Sequence, residues 1–265
     1  MTIKKSDSII IDKMSHLLKM ALMNYIIDTE TSGSSKEDRI ISLAIGTFEN
    51  NMLNHLKIEM FNPGVQIKDG SRWVHNISNS MVKDKLRFAN STMFNEIKSI
   101  FSNKNNVIIG HAIENDLFMI AREGIECACK ILDTEYCARQ VFNLHKSSLR
   151  FLKNELNLNT EVLQDFTAHT ADGDVMITYF VLLELLKYKT FDDLIEMTMS
   201  HTLKRSLPGR KYAKIPISEV IRKDRNYVRE VYLTTTNPSL RYCLCYYLNR
   251  NKIHAKFHNT PLLNK

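Results

Sequence analysis

The 265 residues, 44% of them hydrophobic, suffice for one large domain or for a domain of about 180 residues with an appendage. No apolar run is long enough to cross a bilayer, and Ile9-Ile10-Ile11 is broken at once by Asp12 and Lys13. A membrane span and a signal peptide are therefore not expected, and the chain reads as cytoplasmic.

The net charge of +7 is unevenly spread. Residues 200–265 hold 14 Lys and Arg against 3 Asp and Glu, a balance of +11, whereas the first 199 hold 22 basic and 26 acidic residues, −4. A basic tail of this kind points to a phosphate-rich partner, although a solvated helical cap has the same composition.

In chain order, residues 1–23 read as an N-terminal extension with helical periodicity at Met14, Leu17, Leu18, Ala21 and Leu22. From Asn24 the pattern turns to strands: Tyr25–Thr29, Arg39–Phe48 and an alternating Leu53–Phe61, ended by Asn62-Pro63-Gly64. A helix is predicted over Ser91–Phe101, then a buried strand Asn106–Gly110 and a helix Asn115–Arg122. A strand Lys130–Asp133, helices near 134–143 and 147–156, and a long helix Asp172–Lys187 follow. A meander and then strands alternating with helices imply an α/β fold, a mixed sheet flanked by helices. Polar residues and Pro208-Gly209 place a boundary near Ser200–Pro208. The predicted layout is an extension (1–23), a domain (24–199) and a basic C-terminal module (200–265).

Five cysteines, four of them in Cys-x-Cys pairs (Cys127/Cys129, Cys243/Cys245), lack zinc-ribbon spacing and read as reduced core residues. The chemistry resides in acids. Asp28 and Glu30 stand two apart on a strand, so they share a face and must repel each other unless a cation lies between them. A hydrated acidic strand end is the alternative. Hard oxygen ligands select Mg²⁺ or Mn²⁺ over zinc. Asp116 follows the apolar run Val107–Ile109, and Asp174 lies in the first turn of the long helix, where the dipole favours an anion. Asp172 is a decoy beside it. His169, before that turn, suits proton transfer near neutral pH or else caps the helix. Asp133-Thr134-Glu135 repeats the Asp-Thr-Glu tripeptide, but a helical pattern follows it, which makes Asp133 a capping residue.

The segments Ile27-Asp28-Thr29-Glu30-Thr31-Ser32-Gly33, Gly110-His111-Ala112-Ile113-Glu114-Asn115-Asp116 and His169-Thr170-Ala171-Asp172-Gly173-Asp174 resemble the motifs of the DEDDh 3′–5′ exonuclease superfamily. Within it the nearest resemblance is to the exodeoxyribonuclease X family. Trp73-Val74-His75-Asn76-Ile77-Ser78 is similar to its His-Gly-Ile-Thr segment, with Asn76 in the glycine slot. Lys211-Tyr212 and Asp224–Arg229 resemble its C-terminal module, with Arg210 and Lys214 replacing the glycines around Lys-Tyr. Where the superfamily's second motif has His-Asn and Phe-Asp, this chain has His111-Ala112 and Asn115-Asp116.

The resemblance implies a ribonuclease H-like fold and two-metal hydrolysis of DNA from its 3′ ends, single-stranded or duplex, giving 5′-mononucleotides. Asp28 would bridge two Mg²⁺ or Mn²⁺ ions, Glu30 and Asp174 would hold one, Asp116 would support the other, and His169 would deprotonate water. Thr31, Trp73, His75 and Ile77 would meet the terminal nucleotide, although Trp73 could equally be core. Lys211, Tyr212, Arg222, Arg225 and Arg229 would meet phosphates. RNA trimming by the same chemistry is the first alternative, and a non-catalytic nucleic-acid-binding subunit is the second.

Overall fold

The computed structural model describes residues 23–250 except 159, 160, 165, 167, 168, 204, 205 and 210, so the predicted periodicity before residue 23 lies outside the described residues. The chain divides into two compact units, Met1–Leu203 and Lys204–Lys265. Among the described residues no helix is long and apolar enough to cross a membrane.

The first unit is built on a five-stranded sheet. The strands are β1 (Asn24–Thr31), β2 (Ile40–Glu49), β3 (Met52–Met60), β4 (Val107–Gly110) and β5 (Lys130–Asp133), in the order β3-β2-β1-β4-β5. β1 pairs antiparallel with β2 and parallel with β4. Asn50 and Asn51 close the β2–β3 hairpin, both with positive φ (52° and 60°), the pair of conformations a two-residue hairpin turn needs and asparagine tolerates. The whole of β4 is buried, as its uninterrupted Val107-Ile108-Ile109 predicts for a strand covered on both faces.

Between β3 and β4 lie α1 (Asp69–His75), a single turn α2 (Asn79–Val82) and α3 (Thr92–Ser102). The predicted helix from Ser91 is found one residue in, because Ser91 is its cap and accepts from the Phe94 N–H. Then come α4 (Glu114–Arg122), α5 (Thr134–Val141), α6 (Leu149–Glu155), α7 (Ala171–Leu186) and α8 (Phe191–Thr202).

The long helix α7 packs across β1, β2 and β3. Ala44 and Gly46 of β2 are the register partners of Asp28 and Ile26, and a side chain at Gly46 would run into Leu53 of β3. α8, which the sequence pattern did not show, packs on β5, and the Thr198 hydroxyl accepts from the Asp133 N–H at 3.0 Å.

The second unit holds α9 (Ile217–Lys223), α10 (Arg225–Thr234) and α11 (Pro238–Arg250), around Ile217, Val220, Val228, Leu240, Cys243 and Leu244. All five cysteines are buried and none is in a disulfide, as expected of small core residues.

Candidate active site

β1 runs from a buried start, Ile26-Ile27, to half-buried Asp28 and Glu30 at its C-terminal end. The β1–β2 register slips between Glu30 and Thr31, a bulge of the kind that re-aims side chains at a strand end. α7 arrives from the other side. Thr170 caps it by accepting from the Gly173 N–H, and Asp174 occupies its first turn. Oxygens of Asp28, Glu30 and Asp174 come within 4.8 Å of one another.

The fourth acid stands just outside that trio. Asp116, buried in the first turn of α4, accepts at Oδ1 from the Thr29 N–H (2.9 Å) and the Thr29 hydroxyl (2.6 Å). Thr29 is thus a residue the motif reading missed: set between the two acids of β1, it ties the second motif to the first. Only its position as a β-branched hydroxyl residue facing away from Asp28 and Glu30 could have signalled this.

These groups disturb one another. Burial raises Asp28 well above the usual carboxylate range, and the charges of Asp116, Asp174 and Glu30 add to this. Burial, then Asp174 and Asp116, push Glu30 to about 8. Burial lifts Asp116 to about 7 against the two Thr29 hydrogen bonds. Asp174 is raised by burial, with the His169 N–H and charge opposing. Among the described residues no lysine or arginine forms an ion pair with any of the four. An uncompensated, all-oxygen cradle fits a hard divalent cation, and these residues have the right chemistry to hold one.

His169 lies immediately before α7 with φ +65°, and its N–H donates to Asp174 Oδ1 at 3.3 Å. Asp133 has the capping role its sequence context implies, accepting from the N–H groups of Glu135, Tyr136 and Ala112. His111 is fixed between the Thr134 hydroxyl (3.0 Å) and the Ser147 carbonyl (2.6 Å).

The segment read as a nucleotide contact divides. Trp73 is 84% exposed, which overturns the option that it is core. It lines a cleft of about 490 Å³ with Asp69, Arg72, Asn76 and Ser78. Ile77, by contrast, packs in a buried cluster with Ile41, Ile67 and Val82, which corrects its placement as a surface contact. His75 is also buried, with Nδ1 accepting from the Ile77 N–H, and it sits against the Thr31 backbone. Asn76 takes the left-handed conformation (φ +58°) that the glycine slot anticipates. The Thr31 hydroxyl is turned back onto the Gly33 carbonyl.

In the second unit, Lys211 Nζ (2.9 Å) and the Tyr212 hydroxyl (2.8 Å) both donate to Asp224, which caps α10. Arg225 donates to the Leu248 carbonyl. These three hold the unit together. Arg222 donates to the Ser218 carbonyl one turn back, and Arg229 is exposed on α10.

A mixed five-stranded sheet flanked by helices, with a carboxylate cradle where its central strand ends, defines a ribonuclease H-like nuclease. Residues 11–207 match the model of the 3′–5′ exonuclease family, well over half of the chain. The chain belongs to that family and is a 3′–5′ exonuclease.

No curated protein matches it. Among solved structures, exonuclease X in complex with 5′ overhanging duplex DNA is similar with a TM-score of 0.55 at 21% identity, over 66% of this chain and 99% of that one. Exonuclease I of E. coli in complex with a dA16 oligonucleotide is similar with a TM-score of 0.53 at 15% identity, over 69% of this chain and 44% of that one. At these identities the likeness is one of fold.

Proposed function

We propose that this exonuclease acts on DNA 3′ ends and releases 5′-mononucleotides, with two Mg²⁺ or Mn²⁺ ions as cofactors. The observation that carries the reading is the cradle of Asp28, Glu30 and Asp174, within 4.8 Å of one another and with no lysine or arginine ion-paired to it among the described residues. Asp28, Glu30 and Asp174 would hold one ion, and Asp28 with Asp116 the other. When bound, such ions supply positive charge at the attacking and leaving oxygens and make a bound water more acidic.

The chain's own residues do the rest. Thr29 holds Asp116 against β1. The first turn of α7 sets Asp174 opposite Asp28, and His169 beside it takes the proton of the attacking water. Exposed Trp73 offers a face on which a base stacks. Arg222 and Arg229 supply phosphate contacts, while Lys211, Tyr212 and Arg225 shape the unit that presents them. DNA is favoured as substrate because both similar structures named above hold DNA.

Asp28→Ala and Asp174→Ala each abolish Mg²⁺-dependent release of nucleotides from a 3′-labelled oligonucleotide. Wild-type rates in either variant refute the assignment. The same assay on matched DNA and RNA strands reads the sugar preference, and faster loss of the RNA overturns the DNA reading. Deleting residues 205–265 weakens duplex binding and flattens its salt dependence, and an unchanged slope removes the phosphate contacts from that unit.

A further inference from the structure

Ser42 is the third residue of β2 and is completely buried. Its hydroxyl has no hydrogen-bond partner among the described residues. Such a group is costly where it stands, so a serine rather than an alanine here calls for a physical reason.

The register supplies one. Ser42 is the β2 residue directly opposite Glu30 of β1. Antiparallel partners project from the same face, with Cβ atoms roughly 4.5–5.5 Å apart. Glu30 has the complementary deficiency. Asp116 takes two hydrogen bonds from Thr29, and Asp174 takes one from His169, but no described group donates to Glu30. A buried donor without an acceptor therefore sits across one strand spacing from a carboxylate without a donor. Rotation about the serine χ1 and the glutamate side-chain torsions can bring the two together with no movement of the backbone.

We infer that Ser42 is a positioning residue for the cation site: its hydroxyl donates to one oxygen of Glu30 and leaves the other turned toward the cradle. The pairing forms when Glu30 is engaged with a divalent cation. Its role is to fix the carboxylate's orientation, as hydrogen-bonded groups behind a ligand do in metal sites generally. The inference rests on reading the cradle as a cation site.

The test uses the full chain and Mn²⁺ alone, with binding measured by calorimetry and by the loss of free Mn²⁺ signal in electron paramagnetic resonance. Thermal unfolding is recorded without cation. Ser42→Ala is expected to weaken Mn²⁺ binding by 10-fold or more. Its unfolding temperature without cation stays equal or rises, because the substitution removes an unpartnered hydroxyl. Activity returns toward wild type as Mn²⁺ is raised, a change in cation requirement rather than in maximal rate. Ser42→Cys, close in volume but a weak donor, falls between the two.

Wild-type affinity in Ser42→Ala overturns the inference. So does a marked fall in its unfolding temperature without cation, since the hydroxyl would then be holding the fold rather than Glu30. Absence of Mn²⁺ binding by the wild-type chain overturns the cation reading itself, and the control in the same experiment makes that failure distinct.

Discussion

Ala112 holds φ +56°, a left-handed conformation that costs an L-residue with a Cβ about 1 kcal/mol relative to glycine. The turn is needed there because it launches α4 and so delivers Asp116 to Thr29. The Asp133 carboxylate supports it by accepting the Ala112 N–H at 3.1 Å. Ala112→Gly is therefore expected to stabilise the chain by roughly 0.5 kcal/mol, less than the strain relieved because glycine also loosens the unfolded chain. Urea unfolding checks this, and a loss of stability disproves the strain. At this scale the charged residues were legible in the sequence, because an acid at the end of an apolar run stands out against its neighbours. The hydroxyls were not. Thr29 and Ser42 take their roles from a partner 87 residues away and from a cross-strand register, and neither is encoded in local spacing. Trp73, His75 and Ile77 formed one segment in the sequence, yet α1 sends Trp73 to solvent and His75 inward, and Ile77, past the end of that helix, is buried too.

Elements were read well wherever a periodic pattern ran long enough to be seen. β5 was placed at its observed ends, and α7 within a residue of them. The short helices α1 and α2 escaped because the four residues of α2 cannot show a 3.6-residue repeat, and exposed Trp73 and Val74 blur the apolar face of α1. What sequence patterning leaves as the loop after β1 is a tightly fastened element. Buried Asp38 accepts from the Ser32 hydroxyl (3.0 Å), the Ser35 N–H (2.6 Å) and hydroxyl (2.7 Å), and Lys68 Nζ (2.6 Å). Arg122 of α4 grips the loop from its other side through the Ser35 and Lys36 carbonyls. Burial opposes ionisation of Asp38, but Lys68 and the serine donors outweigh it and bring its pKa down to about 2. The folded value is below the unfolded one, so this contribution is complete above about pH 3.8 and is lost as pH falls from there toward 2. Asp38→Ala should cost roughly 2–3 kcal/mol at pH 7, less than a fully enclosed ion pair because the Lys68 ammonium is half exposed. The deficit against wild type should shrink in unfolding curves taken toward pH 2. A deficit that is constant with pH would show that packing, not charge, is what Asp38 contributes.

At the scale of the whole molecule, the four acids are a source of instability that a bound cation should remove. Asp28, Glu30 and Asp116 all have pKa values raised first by burial, with neighbouring acids adding to it: Asp116, Asp174 and Glu30 at Asp28, Asp174 and Asp116 at Glu30, and Asp133 at Asp116. Below the unfolded carboxylate pKa, near 4.5 for Glu30, both folded and unfolded chains hold the proton and no stability is lost. As pH rises from there to about 8, the unfolded chain releases protons that the folded chain keeps, so the unfolded state gains and folding weakens. The loss is on the order of several kcal/mol, a large part of what a domain of this size has to spare. A cation that binds only the folded, deprotonated site reverses the trend, and its affinity rises with the same pH. Unfolding temperature measured in chelator should therefore fall between pH 5 and pH 8, while the curve in millimolar Mg²⁺ should fall less or stay level. Asp28→Asn removes one of these carboxylates, the one that Asp116, Asp174 and Glu30 all bear on. In chelator at pH 8 it should unfold at a higher temperature than the wild type while gaining little from Mg²⁺. Activity and stability would then move in opposite directions under one substitution, as expected when like charges are held together for chemistry rather than for the fold. If Asp28→Asn instead unfolds at a lower temperature than wild type in chelator at pH 8, the four acids do not repel one another in the folded chain.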